Sequence, residues 1–242
     1  MAEPSAHPKT RSPISQAAKE LQNVFQQITD QSCPHHYNFH MHTHCSDGKL
    51  SPGQLMEQAI TLRLKGFAIT DHHTLRGYQQ ACHWLENWRW KHPSSWSTSQ
   101  AKLKLPRLWR GVEITSSLLD VDVHILGYAF NPEHEDITYY LQGSAPCGEK
   151  RQAKWVIQAI QAAGGVAILA HPVRYRRSPE ELIPAAAALG IDGVETYYAY
   201  DHPTEWRPTP IKTERVQELA NAHNLLNTCG TDSHGMTLTR RV

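Results

Sequence analysis

The sequence predicts an α/β fold, either a doubly wound sheet or a (β/α) barrel. Three observations predict it. From residue 37 onward, short apolar runs alternate with helix-period stretches, the pattern of parallel strands joined by helices. Proline and glycine stand where those helices should start and stop. Histidines and carboxylates collect at the ends of the apolar runs, where α/β folds place their active sites.

The elements follow in order. Residues 1–13 are polar, with three prolines, and are expected to be mobile. Residues 15–28 read as an amphipathic helix with Ala18, Leu21, Phe25 and Ile28 on one face. This divides the chain into a mobile N-terminal extension, 1–34, with one helix, and a single domain, 35–242. The apolar runs are 37–41, 66–70, 108–114, 121–128, 166–170, 193–196 and 225–229. The helical stretches are 52–65, 75–91, 149–163, 179–189 and 212–223. Ser51-Pro52 and Ser178-Pro179 pair an N-cap with proline at the first helical position, and Gly66, Gly164 and Gly190 mark helix stops. The polar stretch 92–104 has no period and reads as a surface loop.

Composition bounds the function. A length of 242 residues suits one or two domains, and 40% hydrophobic with 19% charged residues argues against wholesale disorder. Lys plus Arg number 24 against 23 Asp plus Glu, too even for coating nucleic acid or an anionic membrane by bulk charge. The five cysteines are scattered and never CxxC, which speaks against a disulfide scaffold or a zinc ribbon. No apolar run reaches the roughly 18 residues of a membrane span, and MAEPSAHPKT lacks the apolar centre of a signal peptide. A cytoplasmic protein is the expectation. The anomaly is 16 histidines.

Their placement is not random. The runs end in NFHMHTHCSDG (His40, His42, Asp47), TDHH (Asp71, His72, His73), GVE (Glu113), AHP (His171) and TDSHG (Asp232, His234), and the fourth carries His124. Six separate places aim His, Asp or Glu at one region. His40 and His42 lie two apart on an extended segment and point to one face, a geometry that puts two imidazoles on one cation. A lone histidine at a strand end is usually a hydrogen-bonded structural residue; six convergent clusters are not accounted for that way. His7, His35, His36, His83, His92, His134, His202 and His223 fall in tails, loops or helices and are expected at the surface. The sequence has no GxxxxGK[ST] loop, GxGxxG turn, GxSxG elbow or HExxH helix. Cys45 beside His44 has no evident helix N-terminus or orienting base to make it a thiolate nucleophile. Tyr198 or Tyr200 could line a base pocket; the other aromatics read as packing.

These motifs resemble the polymerase-and-histidinol-phosphatase (PHP) family. The match runs from Tyr37 to the end of the chain: HxH, SDG, TDH, GVE, HILGY, AHP and DSH, in order. The resemblance implies a distorted (β/α)7 barrel with up to three divalent metals at the C-terminal ends of its strands. It implies that His40, His42, Glu113 and Asp232 hold one metal, with Glu113 bridging to a second that also takes His124 and His171. Asp47, His72 and His234 would hold the third. The SDG aspartate and the AHP-x-R-Y string are similar to the bacterial branch acting on nucleoside 3′,5′-bisphosphates and short 5′-phosphorylated oligonucleotides. Only 41 residues, 129–169, separate HILGY from AHP, where that branch usually carries a longer insertion covering the substrate.

The chemistry of the residues agrees. Imidazole and carboxylate without thiolate suit Mn, Fe or Zn. Two to three divalent cations outweigh three ligand carboxylates and make an anion site, for which phosphate is the natural occupant. A metal-activated hydroxide would then hydrolyse a phosphate ester without a Ser or Cys nucleophile. Arg174 is placed to bind a phosphate of the substrate, and Asp71 and His73 to serve proton transfer or to orient ligands. The expectation is a metal-dependent phosphoesterase for a small phosphorylated, nucleotide-derived substrate or a short oligonucleotide. The alternatives are a phosphatase for a metabolite such as histidinol phosphate and a non-catalytic metal-binding module.

Overall fold

The computed structural model describes residues 13–92, 105–201 and 203–242. The mobile N-terminus expected at 1–13 and the loop expected at 92–104 lie outside them, apart from Pro13 and His92, as do His7 and His202.

Seven strands form one sheet in sequence order: β1 (Tyr37–Asn38), β2 (Gly66–Ile69), β3 (Arg107–Leu118), β4 (Val121–Tyr128), β5 (Val166–Leu169), β6 (Gly193–Tyr197) and β7 (Leu226–Cys229). Each coincides with one of the apolar runs. The sheet curls until its edges meet. Phe39 N–H donates to the Cys229 carbonyl at 3.0 Å, and Met41 bridges Ser233 in parallel. The result is a nearly closed, barrel-like sheet, the α/β class that the sequence predicts.

One expectation is corrected: the strands are not all parallel. β3 pairs antiparallel with β4, and β4 antiparallel with β5. The β3–β4 connection is Leu119-Asp120, both at positive φ (50° and 62°), as a two-residue hairpin turn requires. No crossover helix fits in that space. Because β4 runs backwards, its first half lies at the end of the barrel where the parallel strands finish. That reversal brings His124 to the others.

The helices are α1 (Gln16–Phe25), α2 (Pro52–Thr61), α3 (Arg76–Lys91), the single turn α4 (Glu135–Thr138), α5 (Ala153–Ala162), α6 (Pro179–Ala188) and α7 (Pro210–Ala222). Ser51 and Gln54 close a capping box on α2, and Ser178 and Glu181 do so on α6. The stretch expected as one helix over 149–163 is divided. Gly148–Arg151 is a 3₁₀ turn, Gln152 is extended, and α5 starts at Ala153. α1 packs Leu21 and Phe25 into the same core as Phe39, Trp109, Tyr128 and Val166, with Phe25 edge-on to Phe39 at 4.9 Å. These residues belong to the end of the barrel opposite the histidines, so α1 closes the base.

Candidate metal centre

The opposite end of the barrel is built by the loops after the strands. Beyond β1, His40 and His42 point inward and are fully buried. The next segment doubles back sharply. Gly48 N–H donates to the Thr43 carbonyl, and a Cβ on Gly48 would lie 2.4 Å from the His42 carbonyl oxygen. This turn carries Asp47 back over His42. Beyond β7, Gly230 lets the chain pass His40, whose Cβ would be 2.2 Å from a Cβ on Gly230. His171 and Asp232 take positive φ values of 24° and 51°, sparsely populated conformations held by their surroundings.

All nine residues expected as metal ligands converge. The donor atoms of His40, His42, Glu113 and Asp232 form one group, all within 4.8 Å of one another. Glu113, His124 and His171 form a second, and His42, Asp47, His72 and His234 a third. Glu113 faces two ways. Its Oε2 lies 3.0 Å from Nε2 of both His40 and His42, while Oε1 lies 2.7 Å from His124 Nδ1 and 3.4 Å from His171 Nε2. Asp47 Oδ2 stands 3.1 Å from His234 Nε2 and 3.6 Å from His72 Nε2. The floor of the site is buried, with Glu113, His171 and Asp232 all shielded from the surface. The Asp47 side chain is 52% exposed and marks the mouth.

The donor set fits a metal. His42 Nδ1 and Nε2, Glu113 Oε1 and His124 Nδ1 are buried without a hydrogen bond, although opposite partners stand near. Buried polar atoms are normally satisfied. Lone pairs aimed at a shared point rather than at one another account for His42 Nε2, Glu113 Oε1 and His124 Nδ1, while His42 Nδ1, on the other side of its ring, faces Asp47 Oδ1 at 3.4 Å. In the metal-free protein the carboxylates hold His42 up at about 9, even though burial, the largest influence, pulls it down. His72 goes the other way, to about 4, because burial dominates there.

The other expected residues sit around the cluster. Asp71 is buried and both its oxygens are taken. Oδ1 accepts from Thr43 N–H (2.7 Å) and the Ser46 hydroxyl (2.8 Å), and Oδ2 from the Thr43 hydroxyl (2.7 Å). It ties down the loop that carries Asp47. His73 Nε2 pairs with the Thr115 hydroxyl at 3.1 Å, and burial lowers its pKa to about 4. Arg174 donates to Asp232 Oδ2 at 2.8 Å and keeps a third of its side chain exposed (34%). The same oxygen accepts from the Tyr198 hydroxyl (2.7 Å) and Arg241 Nε (2.9 Å). Tyr198 is thus spoken for by Asp232.

Three residues were given no role by the sequence. Glu195 in β6 contacts His40 Nδ1 at 3.0 Å; its signal was a single carboxylate inside an apolar strand run. Arg241 contacts Asp232 and had no motif around it. Tyr175 donates to the Ala170 carbonyl and accepts from His124 N–H (2.8 Å), which fixes the backbone beside two of the histidines.

Fold and cluster together define a barrel protein whose mouth gathers a His, Asp and Glu cluster able to hold metal. Residues 38–130 match the family model described as the PHP domain. A 5′-3′ exoribonuclease of Haemophilus influenzae is 24% identical over 268 aligned positions, covering 82% of this chain and 89% of that protein. The 5′-3′ exoribonuclease Rnm of Escherichia coli is 32% identical over 98 residues, 40% of this chain but only 29% of its own length. Among solved structures, a Bifidobacterium adolescentis protein described as a metal-dependent phosphoesterase superposes with a TM-score of 0.63 at 25% identity, over 84% of this chain and 92% of that one.

Proposed function

We propose that the protein is a hydrolase of phosphoric esters, a metal-dependent phosphoesterase acting on nucleotide-derived substrates. The observation that carries this is Glu113, whose two oxygens face two separate donor groups at the buried floor of an open mouth. His40, His42, Glu113 and Asp232 would hold one cation, Glu113, His124 and His171 a second, and Asp47, His72 and His234 a third. Mn, Fe or Zn suits such donors. When bound, two or three such ions supply Lewis acidity, activate water and clamp the oxygens of an in-line displacement.

The chain's own residues do the rest. Asp71 keeps the Asp47 loop in place through Thr43 and Ser46. His73, a neutral imidazole hydrogen-bonded to Thr115, is the candidate for passing a proton between the site and solvent. Arg174 has guanidinium N–H groups beyond the one given to Asp232 and keeps a third of its side chain exposed, and these groups would bind a substrate phosphate. The 5′-3′ exoribonuclease relatives support a nucleotide-derived substrate over histidinol phosphate, and the SDG and AHP-x-R-Y motifs add a short 5′-phosphorylated oligonucleotide or a nucleoside bisphosphate as the candidates. The cytoplasmic location expected from composition is in keeping with five unpaired cysteines.

A substrate panel with added manganese tests the reading. It should contain a nucleoside 3′,5′-bisphosphate, a 5′-phosphorylated oligoribonucleotide, histidinol phosphate and an aryl phosphate. The nucleotide substrates should be turned over fastest, and chelation should abolish activity. Preference for histidinol phosphate would overturn the substrate class, and inactivity on every ester with full metal content would leave a binding module instead.

A further inference from the structure

Glu195 is fully buried in β6, between Val194 and Thr196. A carboxylate there has to be paired, since an unpaired one is expelled or neutralised. Its partners are specific. Oε1 and Oε2 lie 3.0 and 3.1 Å from His40 Nδ1, and Oε2 also accepts the His171 backbone N–H at 2.9 Å. Gly230 makes the room, because a Cβ on it would lie 2.7 Å from Oε1. With Nδ1 engaged, His40 turns Nε2 toward Glu113 Oε2 (3.0 Å) and Asp232 Oδ1 (3.4 Å). The His171 amide is held where that residue's backbone adopts its unusual φ of 24°. One side chain thus touches a donor residue in each of two groups.

We propose that Glu195 is a positioning residue of the metal centre, fixing His40 with its proton on Nδ1 and its Nε2 lone pair toward the cation. Metal-ligating histidines commonly give their second N–H to a carboxylate, which sets tautomer and ring orientation. The proposal rests on the metal reading given above. A direct ligand role is the rival, since His40, His171 and Glu195 donors also lie within 4.8 Å of one another. Glu195 Oε2 already accepts the His171 N–H and both oxygens lie within 3.1 Å of His40 Nδ1, which favours positioning.

The test uses the full chain with zinc, reading zinc equivalents, zinc affinity by chelator competition, and the protonation of each His40 ring nitrogen by imidazole NMR. In wild type, Nδ1 of His40 should carry a proton and Nε2 should show the shift of a coordinated nitrogen. Glu195→Gln would present an amide N–H to Nδ1 and push the proton to Nε2. It should lose that signature and weaken zinc about 10- to 100-fold. Glu195→Asp keeps the charge, should keep the Nδ1 proton and should fall between the two. It also carries the test if the Gln variant does not fold. Wild-type affinity with an unchanged His40 signature in Glu195→Gln, or in Glu195→Asp where the Gln variant does not fold, would overturn the proposal. So would loss of one whole zinc equivalent with the His40 signature intact, which would make Glu195 a ligand. Failure of wild type itself to take up zinc would sink the metal reading instead, so the two failures are distinguishable.

Discussion

Glu113 and Asp232 illustrate how one residue can serve two sides. Glu113 presents Oε2 to His40 and His42 and Oε1 to His124 and His171. Asp232 turns Oδ1 toward His40 and His42 (3.4 and 3.3 Å) and gives Oδ2 to Tyr198, Arg174 and Arg241. Glu113→Gln keeps the shape and removes the charge that would join two cations. Metal content should fall and turnover should drop by at least about 100-fold, read by elemental analysis and steady-state kinetics. Unchanged turnover would mean that Glu113 joins nothing. Arg174→Ala should behave differently. Asp232 Oδ2 would keep Tyr198 and Arg241, so metal content should hold. Loss of a charge-assisted phosphate contact of roughly 1.5–3 kcal/mol would lower kcat/KM about 10- to 150-fold on a bisphosphate. An aryl phosphate lacking the second phosphate should lose little. Equal losses on both would move Arg174 to the reacting phosphate.

At the scale of elements, the reversed strand β4 and the helix α1 set what the barrel can do. β4 brings His124 to the mouth from its first half, and α1 seals the base. Phe25 is packed edge-on against Phe39 and Tyr128 (4.9 and 5.7 Å) and is fully buried. Phe25→Ala should cost about 3–5 kcal/mol of stability in denaturant unfolding, while kcat of the folded fraction stays at the wild-type value. A kcat that falls with stability intact would mean that α1 acts on the site. The strands, the helices and the nine convergent residues were legible because hydrophobic period and strand-end polarity are local signals. The direction of β4 was not, since strand orientation is set by pairing partners. Its one local sign was the short gap between residues 114 and 121, too small for a crossover helix. Glu195 and Arg241 were hidden for a related reason: their roles come from contacts made across the barrel.

For the molecule as a whole, the buried floor holds protons when metal is absent. His42 is held at about 9 there; burial opposes this and the Asp232 and Glu113 carboxylates outweigh it. A histidine raised in the folded state adds stability that is complete below its ordinary value of 6.5 and is lost as pH climbs through about 9. Metal-stripped protein should therefore lose stability across that window. Metal uptake should release protons and tighten as pH rises, because ligating histidines must be neutral. Denaturant midpoints and proton release in a weakly buffered titration read both. A flat midpoint from pH 6 to 9 would contradict the charge pattern of the floor. The central claim, that this barrel mouth is a multi-metal centre, is tested most directly by elemental analysis after reconstitution with manganese or zinc. Between two and three equivalents of divalent metal per chain are expected, falling when Glu113 is replaced by Gln. Fewer than one equivalent in the wild-type protein would contradict it.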